Sequence, residues 1–231
     1  MWELDSQFES ATLSSMSTGQ ARTRLARIAV LDAARELFLA RGYAATTMDA
    51  VSELSGVPPA TVYRLFSSKL GLLKALLDRA LFGDDDPAQA TGLPHVPALL
   101  ADPDPRRQLT AFAGIARAMI SQASSIYQIL AGAATSDPQA AGLLADYTRT
   151  REQGQGRLPE ALAASGALRP GLLERDAADI IHALASPEVY HLLVTVRGWS
   201  PDRYERWLAG TLISQLLPAR GGQREDQGDR Q

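Results

Sequence analysis

The chain has 231 residues, 45% apolar and 21% charged, the balance of a folded protein with a sizeable core. It contains no cysteine, which excludes a disulfide framework, a Cys-based zinc site and a thiol nucleophile, and which suits a reducing compartment. The net charge of −3 hides an asymmetry. Residues 22–79 hold nine Lys+Arg against five Asp+Glu, a local +4, so the remainder carries −7. A basic segment on an acidic body is the footprint of a chain that meets a polyanion with one part only.

The opening MWELDSQFES is acidic and has no hydrophobic run, so it is not read as a signal peptide. Residues 1–21 are expected to form a disordered arm, with Met16 a second candidate start. A first helix is predicted over roughly 23–41, with Val30, Ala33, Ala34, Leu37 and Phe38 facing inward and Gly42 ending it. The Thr46-Thr47 pair opens a second helix, because a threonine hydroxyl can accept an orphan backbone N–H. Met48, Val51 and Ser55 share one face of it, and Ser55-Gly56 stops it. Pro58-Pro59 restarts the chain, since proline fits a first helical turn. Val62 and Phe66 face inward, while Ala60, Thr61, Tyr63 and Arg64 gather on the other face. This is a helix-turn-helix pattern whose second helix is shaped to enter a DNA major groove. Arg64 can fork onto a guanine, Ala60 and Thr61 allow close approach, and Tyr63 and Arg24 can reach phosphates. A further helix runs from Ser67-Ser68 to about Phe82 on Leu70, Leu73, Leu76, Leu77 and Leu81. Lys69 in its first turn opposes the helix dipole, so a DNA phosphate is the expected partner.

Residues 83–104 carry prolines and the run Asp84-Asp85-Asp86, and read as a linker with one helical turn around Pro97–Leu100. Consecutive aspartates do not converge on one ion, so the run reads as a solvated turn. Helices are then predicted over 105–122 (Leu109, Phe112, Ala116, Met119, Ile120) and 125–135 (Tyr127, Leu130). Another runs from the Asp137-Pro138 cap to about 165, with a kink at Pro159, and the next over 172–197, broken at Ser186-Pro187. The last runs from Ser200-Pro201-Asp202 to Leu217 on Tyr204, Leu208, Thr211, Leu212 and Gln215. Residues 219–231 are expected to be a disordered tail. No strand alternation occurs. The expectation is an all-α chain of about nine helices: a helix-turn-helix domain over 22–82, the linker, and a helical regulatory and dimerisation domain over 105–218. No catalytic motif appears, and His182 and His191, nine residues apart, point to opposite sides of a straight helix. No enzyme activity, metal or cofactor is expected, and no run of about 20 apolar residues is present to cross a membrane.

The stretch LDAARELFLARGYAATTMDAVSELSGVPPATVYRLFSSK, Leu31 to Lys69, resembles the DNA-binding domain of the TetR family of bacterial transcriptional regulators. The Gly-Tyr pair, the double threonine, Thr-Val-Tyr and Phe-Ser-Ser-Lys stand in the family's order and spacing. Three positions depart from it: Pro58 where a serine cap is frequent, Ala60 where glycine is common, and Leu65 where an aromatic or histidine often touches phosphate. The resemblance implies that Thr47, Pro59, Thr61, Tyr63 and Lys69 face DNA; the reading of the residues themselves adds Arg24, Thr46, Pro58, Ala60 and Arg64 to the expected contact set. It implies a four-helix interface between two subunits, built on Ile181, Leu184, Leu192, Tyr204, Leu208 and Leu212. It also implies a small-molecule pocket among the middle helices, for which Phe112, Met119, Tyr127, Tyr147 and His182 are candidates. The function so implied is that of a cytoplasmic homodimer on a double-stranded operator, a repressor released by a small apolar ligand. A DNA-binding regulator with no effector, its helical body serving only assembly or protein partners, is the alternative.

Overall fold

The computed structural model describes residues 3–83 and 96–219, and every regular element among them is helical. The aspartate run at Asp84, His95 and the tail from residue 220 lie outside those residues. The chain separates into two compact units. One comprises the residues up to Arg79 together with Ser125–Leu144, and the other comprises Ala80–Ser124 with the residues from Ala145 onward.

The first unit opens with α1 (Glu3–Ala45). It starts far earlier than the arm expected over 1–21 allows, since residues 3–18 hold no proline or glycine to stop a helix. Its regular run ends at Gly42, whose φ of 75° lies in the region glycine alone enters freely. Val30, Leu31, Ala33, Ala34, Leu37 and Phe38 are its buried face. In α2 (Met48–Ser55), Met48, Val51 and Ser52 are buried, and Gly56 closes the helix at φ 66°. α3 (Pro59–Phe66) buries Val62 and Phe66. In α4 (Lys69–Phe82) the buried residues are Leu72, Leu73, Ala75, Leu76 and Leu77, and Leu70 and Leu81 are only half-buried. Each leucine of α4 fully taken from water contributes about 1.5–3 kcal/mol. An Arg79–Asp32 ion pair at 2.8 Å joins α4 to α1.

The other elements are α5 (Val96–Ala101), α6 (Pro105–Ala134), α7 (Pro138–Ala164), α8 (Glu174–Leu184), α9 (Pro187–Tyr190) and α10 (Pro201–Leu216). α9 runs on into a π-helical turn, His191–Val196, where the Arg197 N–H reaches back five residues to the Leu192 carbonyl at 3.0 Å. The two helices expected over 105–122 and 125–135 are one. Nothing between them breaks the backbone, and Ser121 turns its hydroxyl onto the Ala118 carbonyl of the same helix. α7 passes through a buried Pro159 and ends at Gly166, with the Ala167 N–H closing onto Leu162 at 2.9 Å.

The core of the second unit gathers Leu109, Ala113, Ala116 and Ile120 of α6, Leu158 and Leu162 of α7, Ile181 of α8, and Tyr204, Leu208, Leu212 and Leu216 of α10. This corrects the expected dimer contacts. Ile181, Tyr204, Leu208 and Leu212 are each 0% exposed inside their own chain, and Leu184 is half-buried; of the six, Leu192 alone is exposed. A helical period reveals that a stripe is buried but not whether its own chain or a second copy buries it.

Candidate nucleic-acid interface

Three local devices set the helix-turn-helix. Thr47 caps α2, its hydroxyl accepting the Ala50 N–H at 3.1 Å. Ser52 donates to the Val57 carbonyl at 2.6 Å and so ties the turn to α2. Pro58 and Pro59 then fix the entry of α3, where Pro59 has no N–H to satisfy and the Thr61 and Val62 N–H groups close onto the Pro58 carbonyl at 2.9 and 3.1 Å. With Val62 and Phe66 turned inward, Tyr63 (48% exposed) and Arg64 point outward; Pro58, Pro59 and Ala60 are exposed and Thr61 is half-buried. Arg24 and Thr47 are exposed as well. The departure at Leu65 is half-buried.

Two of the expected contact residues turn inward instead. Thr46 is 1% exposed and donates its hydroxyl to the Gly42 carbonyl at 2.8 Å, so it fastens the corner after α1 rather than facing solvent. For Lys69 the sequence predicts an external phosphate partner. Its ammonium instead donates to the Tyr43 and Ala44 carbonyls at 2.8 and 3.4 Å and sits 4.4 Å from the centre of the Tyr43 ring. A lysine that opposes its own helix dipole here satisfies the C-terminal carbonyls of α1. Burial and the Asp137 carboxylate facing its hydroxyl hold the Tyr43 phenol above its usual range.

Arg27 and Ser67, which no sequence pattern singles out, brace α3. The Arg27 guanidinium lies 5.1 Å from the Phe66 ring centre and clamps α1 to the end of α3. Ser67, at φ 61° and ψ −38°, makes the sharp turn out of α3, with the Ser68 N–H on the Phe66 carbonyl at 2.6 Å. Neither residue type announces such a role, since an arginine in a basic helix reads as solvated and a serine in a turn reads as a cap.

Residues 30–76 match the family of bacterial regulatory proteins known as the tetR family. That segment is a TetR-type helix-turn-helix domain. It marks a helix-turn-helix, DNA-binding transcriptional regulator. The HTH-type regulator YvkB of Bacillus subtilis (strain 168) is 44% identical over 50 residues, a match that spans 22% of this chain and only 26% of YvkB. The HTH-type transcriptional regulator TcmR of Streptomyces glaucescens is 28% identical over 171 residues, 70% of each chain. Among solved structures, NalD, the secondary repressor of the MexAB-OprM multidrug efflux pump in Pseudomonas aeruginosa, superposes with a TM-score of 0.62 at 22% identity, covering 83% of this chain and 95% of NalD. SmeT in complex with triclosan gives 0.64 at 17% identity, over 84% and 92%. At these identities the two structures show the fold alone.

The pocket candidates are dispersed. Phe112 packs against the core of the second unit, Met119 is half-buried, and Tyr127 is buried in the first unit. Tyr147 and His182 both neighbour Arg151, and both nitrogens of the His182 ring are engaged by protein groups. A hollow of about 590 Å³ opens on α1 beside Asp32, Arg35, Glu36, Leu39 and Ala40, and none of the five candidates lines it. Among the described residues no cluster of His, Asp and Glu is arranged to hold a metal, and no helix is long and apolar enough to cross a membrane.

Proposed function

We propose that this chain is a homodimeric, cytoplasmic repressor that reads a double-stranded operator through α3 and leaves it when a small apolar ligand occupies the helical body. One observation carries the reading of α3: Tyr63 and Arg64 are exposed on it while Val62 and Phe66 anchor its opposite face. Arg64 forks onto a guanine edge, Tyr63 and Arg24 meet phosphates, and the small Pro59, Ala60 and Thr61 let the helix approach. Thr47 and Pro58 flank the same exposed surface.

Dimerisation is supported by apolar surface on the segment between α9 and α10. Leu192 and Val196 are 53% and 62% exposed. Trp199 stands edge-on to Trp207 at 6.0 Å, with the Arg203 guanidinium 4.0 Å from the Trp199 ring centre. The interface moves from the buried stripe of α10 to this face. A single short reading helix discriminates poorly, and two half-sites one turn apart multiply its selectivity. Ligand release is supported by NalD, a repressor, and by SmeT, which holds triclosan. The ligand must favour the conformation that fits the operator less well, or it shifts nothing. The reading without an effector draws on His182, which is already taken up by protein partners.

The test begins with selection of duplexes bound by the full chain from a random pool. Calorimetric titration of apolar compounds follows, with and without the selected duplex. Selection of a palindromic site, and a compound whose binding weakens when that duplex is present, are the expected results. Failure to retain any duplex at low salt overturns the DNA reading. Binding of compounds equally with and without duplex overturns the effector alone.

A further inference from the structure

α8 ends without the usual devices. No glycine follows Leu184, and the C-cap Ala185 sits at φ −91° and ψ 45°. Other helices answer its last carbonyls. Arg151 Nη1, from α7, donates to the His182 and Ala185 carbonyls at 2.9 and 3.2 Å, and Gln155 Nε2 donates to Ala185 at 3.3 Å. From α10, the Tyr204 hydroxyl donates to Leu184 at 3.2 Å. A cation placed on a helix C-terminus is stabilised by the dipole.

The same Arg151 places Nη2 2.7 Å from Nε2 of His182, and Gln155 Oε1 lies 3.1 Å from His182 Nδ1. A guanidinium only donates. Nε2 is therefore the acceptor and carries no proton, and Nδ1–H donates to Gln155 Oε1. The amide of Gln155 agrees, because its nitrogen faces the Ala185 carbonyl and its oxygen faces Nδ1. One tautomer of the neutral imidazole satisfies every partner, whereas the imidazolium sets two donors and two positive charges against each other.

We propose that Arg151, Gln155 and His182 form a proton-operated latch between α7 and the end of α8, closed by neutral His182 and opened when Nε2 takes a proton. The charged groups facing the ring are Arg151 and Glu152 from α7, Asp179 from α8 itself and Glu188 from α9. Glu152 Oε1 stands 3.8 Å from Nε2 on a side chain 56% exposed, ready to receive the new N–H. The three carboxylates favour the charged ring. Burial, and after it Arg151, oppose them and prevail, holding His182 below its usual range. Arg151 Nε is buried without an acceptor, so the ring nitrogen and the two carbonyls are what hold the guanidinium. Losing the ring nitrogen frees Arg151, takes the guanidinium donor from His182 O, leaves Ala185 O with Gln155 alone, and loosens the junction before Ser186-Pro187.

The sign follows from linkage. An unfolded histidine takes its proton near pH 6.5, and the folded one lags behind it. The latch stabilises the chain fully at neutral pH, and that stability falls as the pH drops below about 6.5 through the folded value. The Asp102 carboxyl, held below 3.8 chiefly by its hydrogen bond from Arg107, gives way only at lower pH, so the two effects separate.

Two-bond proton–nitrogen correlation on the ¹⁵N-labelled full chain reads the tautomer and titration of His182 directly. Hydrogen exchange at the amides of residues 182–190, near neutral pH and near about pH 5.5, reads the latch in the native chain and in His182→Gln. The glutamine can accept from Arg151 but cannot titrate. The expected results are the Nδ1–H form at neutral pH, titration below 6.5, and protection lost on acidification in the native chain but kept in the variant. An Nε2–H ring, titration at or above 6.5, or the same loss of protection in both chains overturns the latch. If His182→Gln does not fold, the tautomer and titration of the native chain decide alone.

Discussion

Arg64 and Lys69 are both cations of the helix-turn-helix, and their surroundings assign them opposite consequences. Arg64 is exposed on α3, while Lys69 is occupied by the Tyr43 and Ala44 carbonyls. Arg64→Ala is expected to leave folding unchanged and to relax base preference at one operator position, at a cost of about 1–3 kcal/mol. Binding titrations against operator variants measure this, and unchanged preference removes Arg64 from the reading role. Lys69→Met is expected to cost about 1–2 kcal/mol of folding stability, because two carbonyls lose a charged donor. The urea midpoint reports it, and an unmoved midpoint means that water replaces the ammonium without loss. Thr46 and Thr47 show how far a sequence speaks at this scale. Their identity announces a helix start, but which hydroxyl caps α2 and which turns back onto Gly42 depends on a corner that only the folded chain displays.

Among elements, the joint between α3 and α4 is the most tightly specified. Ser67 occupies the positive-φ centre of a γ-type turn, a conformation that costs a non-glycine residue energy. The Ser68 hydroxyl caps the Gly71 N–H at 3.0 Å, and a Cβ built on Gly71 would land on the Phe66 carbonyl oxygen. Gly71→Ala must therefore push α4 away from the end of α3. We expect it to cost about 1–3 kcal/mol and to weaken operator binding with it. Gly154→Ala is the control: that glycine is exposed within α7, with nothing near its missing Cβ, and the change should add about 0.5–1 kcal/mol of stability. Thermal melts of the two variants should move in opposite directions. Helix starts and stops were legible because capping chemistry is local: Thr47, Gly56, Pro59, Asp137, Ser186 and Ser200 all act within a few residues. The break expected in α6 and the partners of Arg151 were not legible. A serine tolerated inside a helix looks like one that ends it, and the end of α8 is completed by residues from distant segments.

At the scale of the whole molecule, the proposed dimer requires an apolar surface that a second copy can cover. Periodicity in α10 points to Tyr204, Leu208 and Leu212, and those side chains are consumed by the chain's own core. What remains outward is the π-helical turn with Leu192 and Val196, beside the Trp199–Trp207 pair. An extra residue in that turn rotates the side chains that follow it, which is how one segment can serve an inner core at Tyr190 and an outer face at Val196. If this face is the interface, a carboxylate there must be buried unpaired in the dimer yet remain hydrated in the monomer. Val196→Glu is expected to weaken self-association at least roughly tenfold, about 1.4 kcal/mol, while leaving the helical signal and melting of the monomer intact. Leu208→Glu places the same charge in the core and is expected to unfold the second unit outright. Sedimentation equilibrium with circular dichroism separates the two outcomes. A Val196→Glu chain that associates as tightly as the native one moves the interface elsewhere. Operator affinity adds a second readout, since a chain that no longer pairs must read each half-site alone and should lose affinity for the full palindrome while keeping its affinity for one half.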